Sequence, residues 1–252
     1  MASSPTKHKF ASFDGAELVW HELGEGRPVL LLHGLFSNAH TNWIKFGHAG
    51  EIAGRGFRVI MPDLRAHGQS AAPRDAASYP PDVLVKDAQA LIAHLGLEEF
   101  DLGGFSLGAR TAAAMMIGGV SPRRAVLAGM GLEGLSDWDR RRDFFTAAID
   151  RREEVSHGDQ HWLAVQFMKT MKIDPEAARL LLASPTDLDP ARLADIAAPT
   201  LVVCGSEDED NGSAEALARA IPAARFAEVP GTHMSSVTKP ELGKAIADFL
   251  AS

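Results

Sequence analysis

A serine flanked at two residues' distance by glycines, Gly104-Phe105-Ser106-Leu107-Gly108, follows the apolar start Asp101-Leu102-Gly103 and runs into the Ala- and Met-rich stretch 111–117. A strand that turns sharply into a helix strains the residue at the corner, and the residues two before and two after it must be small. Gly104 and Gly108 meet that demand, which exposes the Ser106 hydroxyl at a helix N-terminus. A serine hydroxyl is a weak nucleophile at neutral pH, so it needs a base within hydrogen-bond reach and a group that orients the base. Of the ten histidines, His233 in Val229-Pro230-Gly231-Thr232-His233-Met234 follows the last strand-like run and precedes the last helix. That places it on the same sheet edge as Ser106. His8, His21, His48, His94, His157 and His161 have no comparable placement and read as solvated or structural.

The orienting carboxylate should follow an earlier strand on that edge. Cys204-Gly205-Ser206-Glu207-Asp208-Glu209-Asp210 offers several acids, of which Asp208 is the expected one, with Asp210 and Glu207 as lesser candidates. Glu133, after the strand at 124–128, is a second position for the acid. A tetrahedral oxyanion would need backbone N–H donors aimed at it. Leu107, beside the nucleophile, supplies one. The other is expected at Leu35, because Gly34 in His33-Gly34-Leu35 lets the chain approach closely. His33 itself reads as a buried structural side chain.

The elements that must position these residues are legible in the apolar pattern. Strands are expected at 9–13 and 17–23, joined at Asp14-Gly15, and then at 28–32, 58–61, 100–105, 124–128, 199–204 and 226–229. Several are short continuous apolar runs, the kind buried on both faces. Helices are expected at 42–54, 81–95, 214–220 and 239–250, besides the one after Ser106. An opening hairpin followed by alternating strands and helices implies a mostly parallel α/β sheet with helices on both faces. Loops beyond the C-terminal ends of such strands collect the ligand site. The stretch 134–195 breaks the alternation: it is helical, rich in Trp, Phe and Arg, and has no strand-like run.

Composition sets the outer bounds. The chain has 252 residues, 46% of them hydrophobic and 23% charged, enough for one sizeable core with an insertion. A formal net charge of −8 argues against a nucleic-acid surface and against anionic membranes. Cys204 is the only cysteine, so no intrachain disulfide is possible and a reducing, cytoplasmic location is expected. The first nine residues hold no apolar segment, so no signal peptide is expected, and no apolar run reaches the ~18 residues a membrane span needs.

Five motifs together resemble the α/β-hydrolase fold superfamily, over nearly the full length of the chain. They are His33-Gly34-Leu35-Phe36, 62–70 (Pro-Asp-Leu-Arg-Ala-His-Gly-Gln-Ser), Gly104-Phe105-Ser106-Leu107-Gly108, Gly205-x-x-Asp208 and Gly231-Thr232-His233. The chain order Ser…Asp…His is the one described for that architecture. The resemblance implies an eight-stranded, mostly parallel sheet and Ser106 as nucleophile, His233 as base and Asp208 as orienting acid, with Leu35 and Leu107 forming the oxyanion hole. The core would be residues 1–133 and 196–252, and 134–195 would be a helical cap inserted after the sixth strand. Asp63, His67 and nearby His33 are metal-ligand types, but in this family the loop braces the oxyanion strand; neither a metal nor a cofactor is expected. Relatives that act on epoxides or haloalkanes carry Asp where this chain has Ser106, and the single tyrosine, Tyr79, lies outside the cap.

A cap would shape the pocket, and Trp138, Phe144, Phe145, Trp162, Phe167 and Met168 are its apolar candidates, with Phe36 on the oxyanion loop. The expected substrate contacts are Phe36, Arg110, Trp138, Phe144 and Trp162. Arg110, one helical turn beyond Ser106, either braces a loop or holds a substrate carboxylate. The expected activity is hydrolysis of a small or medium carboxylic ester, lactone or thioester through an acyl-enzyme. Two alternatives stay open: carbon–carbon cleavage or a lyase reaction with Arg110 as carboxylate clamp, and a non-catalytic ligand receptor on the same scaffold. The expected partner is a small ester-type molecule, and the sequence leaves the oligomeric state open.

Overall fold

A computed structural model describes residues 4–252; residues 1–3, where part of the leader expectation falls, lie outside the described residues. The chain forms one eight-stranded sheet: β1 (Thr6–Ala11), β2 (Glu17–Leu23), β3 (Arg27–Leu32), β4 (Phe57–Pro62), β5 (Asp101–Phe105), β6 (Ala125–Ala128), β7 (Thr200–Gly205) and β8 (Ala224–Val229). The spatial order is β1-β2-β4-β3-β5-β6-β7-β8. β2 runs antiparallel to β1 and to β4, and every later pairing is parallel. Strands β3, β5, β7 and β8, which lead into the loops of Leu35, Ser106, Asp208 and His233, lie in one run of the sheet with β6 between β5 and β7, so the loops leaving their C-terminal ends emerge on one edge.

Among the described residues the ten α-helices are α1 (His48–Ala53), α2 (Val83–Leu95), α3 (Leu107–Ile117), α4 (Leu132–Ser136), α5 (Trp138–Asp150), α6 (Trp162–Thr170), α7 (Pro175–Leu182), α8 (Ala214–Ala220), α9 (His233–Ser236) and α10 (Pro240–Ala251). Alternate side chains of β3 serve two cores. Leu30 and Leu32 pack with α2 and α3 on one face, while Val29 and Leu31 join α1 and α10 on the other. That double burial is why the central strands read as unbroken apolar runs. Between β6 and β7 the described residues form no strand: α4 to α7 are joined by turns and irregular loops and followed by a 3₁₀ turn at Pro190–Asp195.

Three expected boundaries move. The first strand ends at Ala11 instead of residue 13, because Ser12 to Ala16 close a wider turn in which the Ser12 N–H donates to the Ala16 carbonyl. The expected helix 42–54 divides into a π-helical turn at His40–Ile44 and α1, separated by Gly47 at φ 86°, a left-handed conformation no helix interior accepts. α2 starts at Val83 because Asp82 adopts φ 54° and turns its carboxylate to Thr186 in the helical segment.

The corner after β5 depends on two glycines. A Cβ on Gly108 would fall on the Leu32 carbonyl, and one on Gly104 on the backbone of Gly108. Gly108→Ala is therefore expected to destabilise the protein by about 3 kcal/mol, seen as a lower thermal midpoint. Gly50→Ala, in open space within α1, should leave the midpoint unchanged or raise it.

Candidate active site

Ser106 sits at φ 53°, ψ −114°, between the end of β5 and the start of α3. Its N–H donates to the Ala128 carbonyl at 2.8 Å and its carbonyl accepts from the Arg110 N–H at 2.9 Å, so both sides of the corner are tied down. The hydroxyl Oγ lies 3.1 Å from His233 Nε2. On the other side of the ring, His233 Nδ1 is 2.9 Å from Asp208 Oδ2. With the carboxylate accepting at Nδ1–H, Nε2 is left as the acceptor for the serine proton.

The two partner loops are locked to one another. A Cβ on Gly205 would strike the Gly231 carbonyl, and the Glu207 N–H donates to that same carbonyl at 3.0 Å. Thr232 caps α9 in a reciprocal box with Ser235, which fixes His233 at the first helical position. The Asp208 side chain is 2% exposed and its Oδ1 accepts from the Asp210 N–H at 3.2 Å. The other candidate acids are placed elsewhere. Glu133 accepts from the Ser213 N–H at 2.8 Å, and Glu207 and Asp210 are exposed. Cys204, buried beneath the acid loop, has its thiol pushed up to about 12 by burial and by the Asp208 charge, so it stays protonated.

The loop after β3 is held by a hydrogen-bond lattice. His33 Nε2 accepts from Leu64 N–H at 2.9 Å, and His67 Nε2 accepts from Phe36 N–H at 2.9 Å. Each ring nitrogen Nδ1 faces a carbonyl, Gly34 and Arg65 respectively, so both imidazoles are neutral Nδ1–H tautomers. Asp63 accepts from the N–H groups of Ala39 and Gln69, both at 2.9 Å. Asn42 Oδ1 accepts from Gly34 N–H at 3.0 Å. The nitrogens and oxygens of the Asp63–His67–His33 group are thus spent on backbone, and among the described residues no three such side chains are arranged to hold a metal ion. Within this lattice the Leu35 N–H, like that of Leu107, has no acceptor among the described residues. A Cβ added to Gly34 would lie 3.5 Å from the Ser106 Cβ, so the loop passes close to the corner, and Leu35 lines the larger hollow together with Ser106.

Two hollows meet at Ser106. The larger, about 240 Å³, is lined by Phe46, Phe105, Phe167, Met234 and Val237, with Asn42, Thr41 and Lys45 adding polar groups. The smaller, about 10 Å³, has room for roughly one water and is lined by Arg110, Trp138, Arg141 and Phe145. Of the five expected substrate contacts, Arg110 and Trp138 line the small hollow. Phe36, Phe144 and Trp162 line neither. Phe36, at φ 59°, is 2% exposed with its ring edge-on to Phe145; Phe144 lies against His161, and Trp162 against His157. Phe46, Met234 and Val237 went unnoticed in sequence because each belongs to a short turn whose facing is set by the fold.

Arg110 is committed to the helical segment. Its Nη2 donates to the Thr186 carbonyl at 2.5 Å and lies 3.8 Å from Asp187, and the guanidinium stacks over Trp138 at 4.9 Å. Burial pushes its pKa down to about 10, so it is still a cation at neutral pH.

Residues 27–124 match a family described as the alpha/beta hydrolase fold. An AB hydrolase superfamily protein of Bacillus subtilis is 35% identical over 43% of this chain and 39% of its own length. A non-heme haloperoxidase of Rhodococcus erythropolis is 34% identical over 43% of each chain, and an epoxide hydrolase of Caballeronia sordidicola 37% identical over 41% of this chain and 31% of its own. The chain spans about two-fifths or less of the length of these curated relatives. Among solved structures, a thermophilic esterase from Thermogutta terrifontis superposes with a TM-score of 0.74 at 26% identity, over 97% of this chain and 98% of the other. An esterase from Exiguobacterium antarcticum shares the fold with a TM-score of 0.78 at 19% identity, each chain fully covered.

Burial of the His67 ring pushes its pKa down to about 3, and burial lowers His33 as well. The unfolded chain takes up these protons near 6.5 and the folded one does not, so their contribution to stability is complete above pH 6.5 and is lost as pH falls toward 3. Denaturant midpoints measured from pH 7 to 4 should fall with acid, and His67→Asn should show a lower midpoint at pH 7 with a shallower fall. An unchanged slope in that variant would show that His67 is not the group responsible.

Proposed function

We propose that this chain, whose residues 27–124 match the alpha/beta hydrolase fold family, is a serine hydrolase of small to medium carboxylic esters, lactones or thioesters. The observation that carries the reading is the unbroken relay from Asp208 through His233 to Ser106, at 2.9 and 3.1 Å. Ser106 Oγ attacks the carbonyl carbon as His233 Nε2 takes its proton, and Asp208 stabilises the resulting imidazolium. The oxyanion is held by the free N–H groups of Leu35 and Leu107. His233 returns the proton to the departing alcohol or thiol. Water then attacks the acyl-enzyme by the same relay, giving the acid and free Ser106.

The segment 134–195 acts as a cap over the core formed by 1–133 and 196–252. In support, Phe167 of α6 lines the larger hollow, and Trp138 and Phe145 of α5 line the smaller. The epoxide hydrolase name among the relatives leaves the ester reading in place, because the residue at the corner is serine where the resemblance implies aspartate for epoxide-acting members. Arg110, engaged with Thr186 and Asp187, supports the bracing role over the clamp. Among the described residues no helix is long and apolar enough to cross a membrane, and a cytoplasmic location is proposed on the strength of the single, buried Cys204.

A panel of aryl esters of increasing chain length, run beside a lactone and a thioester, tests the activity. Ser106→Ala should lose about 10³-fold or more in kcat on the best substrate, and His233→Ala about as much. A loss below about tenfold at Ser106 would remove the nucleophile assignment. Asp208→Asn should be far more damaging than Asp210→Asn; the reverse ranking would move the acid to Asp210.

A further inference from the structure

The larger hollow changes character along its depth. Ser106, His233 and Phe105 are buried and form its floor, whereas Lys45, Met234 and Thr238 are exposed and form its mouth. Phe46, Phe167 and Val237, all half-buried, supply the wall between the two. The order from inside to outside is nucleophile, apolar wall, solvent-facing rim.

One fixed charge stands on that rim. Apart from the His233 imidazole, Lys45 is the only acid or base in the lining, and no carboxylate accompanies it. Lys9 and Lys169 pair with Glu17 and Glu153, but Lys45 forms no ion pair among the described residues. Its ammonium lies over the Phe46 ring, 5.2 Å from the centroid, so the charge rests against a wall of the hollow. A substrate arm that is apolar along its length and negative at its tip matches this order group for group. The ester would lie on the floor and the methylenes along the aromatic wall, with the anion at the mouth, where it keeps part of its hydration. The volume of about 240 Å³ is room for roughly eight waters, so an arm of about that many heavy atoms would fill it.

We propose that Lys45 is a specificity-determining residue that recognises a negative charge at the far end of the substrate, and that the preferred substrates are esters whose apolar arm ends in a carboxylate, as in half-esters of dicarboxylic acids. This rests on the serine-hydrolase reading above and names its substrate class. Because the pair forms at an exposed rim, it is worth little and is weakened by salt. It is the same before and during the reaction, so it acts on KM and leaves kcat alone.

Monoethyl esters of the dicarboxylic acids from succinic to sebacic test this beside their primary amides, which match them in size and carry no charge. A second series, ω-acetoxy acids and their amides, puts the charge on the alcohol arm. In at least one series the acid should have a KM about three- to fivefold below that of the amide at low salt, with an optimum length, and the gap should close at about 0.5 M salt. Lys45→Met keeps the stem over Phe46 and removes the charge; it should erase the gap while kcat on the amides is unchanged. Lys45→Glu should invert it, so that an ω-amino ester is favoured over the acid. Lys86→Met removes a second unpaired ammonium, over Phe13 on α2 and outside the hollow's lining, and should change nothing.

Equal KM for acid and amide at every length in both series would overturn the proposal, as would a gap that survives Lys45→Met. Calorimetric binding of the same pairs to the uncleaving Ser106→Ala variant separates this proposal from the activity it rests on. A binding gap that Lys45→Glu inverts, without hydrolysis by the wild-type protein, would sink the hydrolase reading and keep the Lys45 assignment. Hydrolysis without any gap would do the opposite.

Discussion

Everything in the site hangs on a backbone corner that serine does not adopt freely. At φ 53° and ψ −114°, Ser106 occupies a region that costs on the order of 1–3 kcal/mol. The surrounding structure over-determines it: two backbone hydrogen bonds, to Ala128 and from Arg110, hold the corner from both sides. Gly104 and Gly108 allow β5 and α3 to fold onto each other and onto the Leu32 carbonyl. The return for that strain is positional. The hydroxyl stands clear of the sheet at the point where a helix begins, with the Leu107 N–H beside it.

The second constraint is the loop after β3, which must present an unpaired N–H while every neighbouring amide is satisfied. His33, His67, Asp63 and Asn42 do this by accepting hydrogen bonds from Leu64, Phe36, Ala39, Gln69 and Gly34. Burying imidazoles is tolerable only because they are neutral and their nitrogens are occupied. Arg65, fully buried, extends the lattice outward through Asp87 and Asp14, so the loop is tied to α2 and to the opening hairpin. A small displacement here would move the Leu35 amide relative to the Ser106 hydroxyl, which the proposed oxyanion role could not tolerate.

The helical segment between β6 and β7 adds shape instead of chemistry. It is pinned to the core by Arg110 and Asp82, both bonded to Thr186, and held together internally by the Trp138 indole donating to the Leu182 carbonyl at 3.1 Å. Those ties place one face of α5 and α6 over Ser106 and divide the space around its hydroxyl into one roomy, largely apolar hollow and one water-sized cleft.

The linear chain by itself determined the eight strands, their mostly parallel arrangement and the edge on which Ser106, Asp208 and His233 stand. These depend on local signals: apolar runs of strand length, glycines at fixed offsets from the serine, and loops that follow strand ends. That Asp208, and not Asp210 or Glu207, stands against His233 was legible for the same reason, because its distance from Gly205 fixes its reach. Tertiary structure alone decided which aromatics meet Ser106. Phe36 points to Phe145 because its amide is drawn to His67 at a positive φ, and Phe144 and Trp162 are taken up by histidines within the helical segment. Likewise, Arg110 became a brace through partners dozens of residues away. Hydrophobic periodicity says that a side chain is buried, but the identity of its neighbour is set by how helices cross and loops close, which no short stretch of sequence encodes.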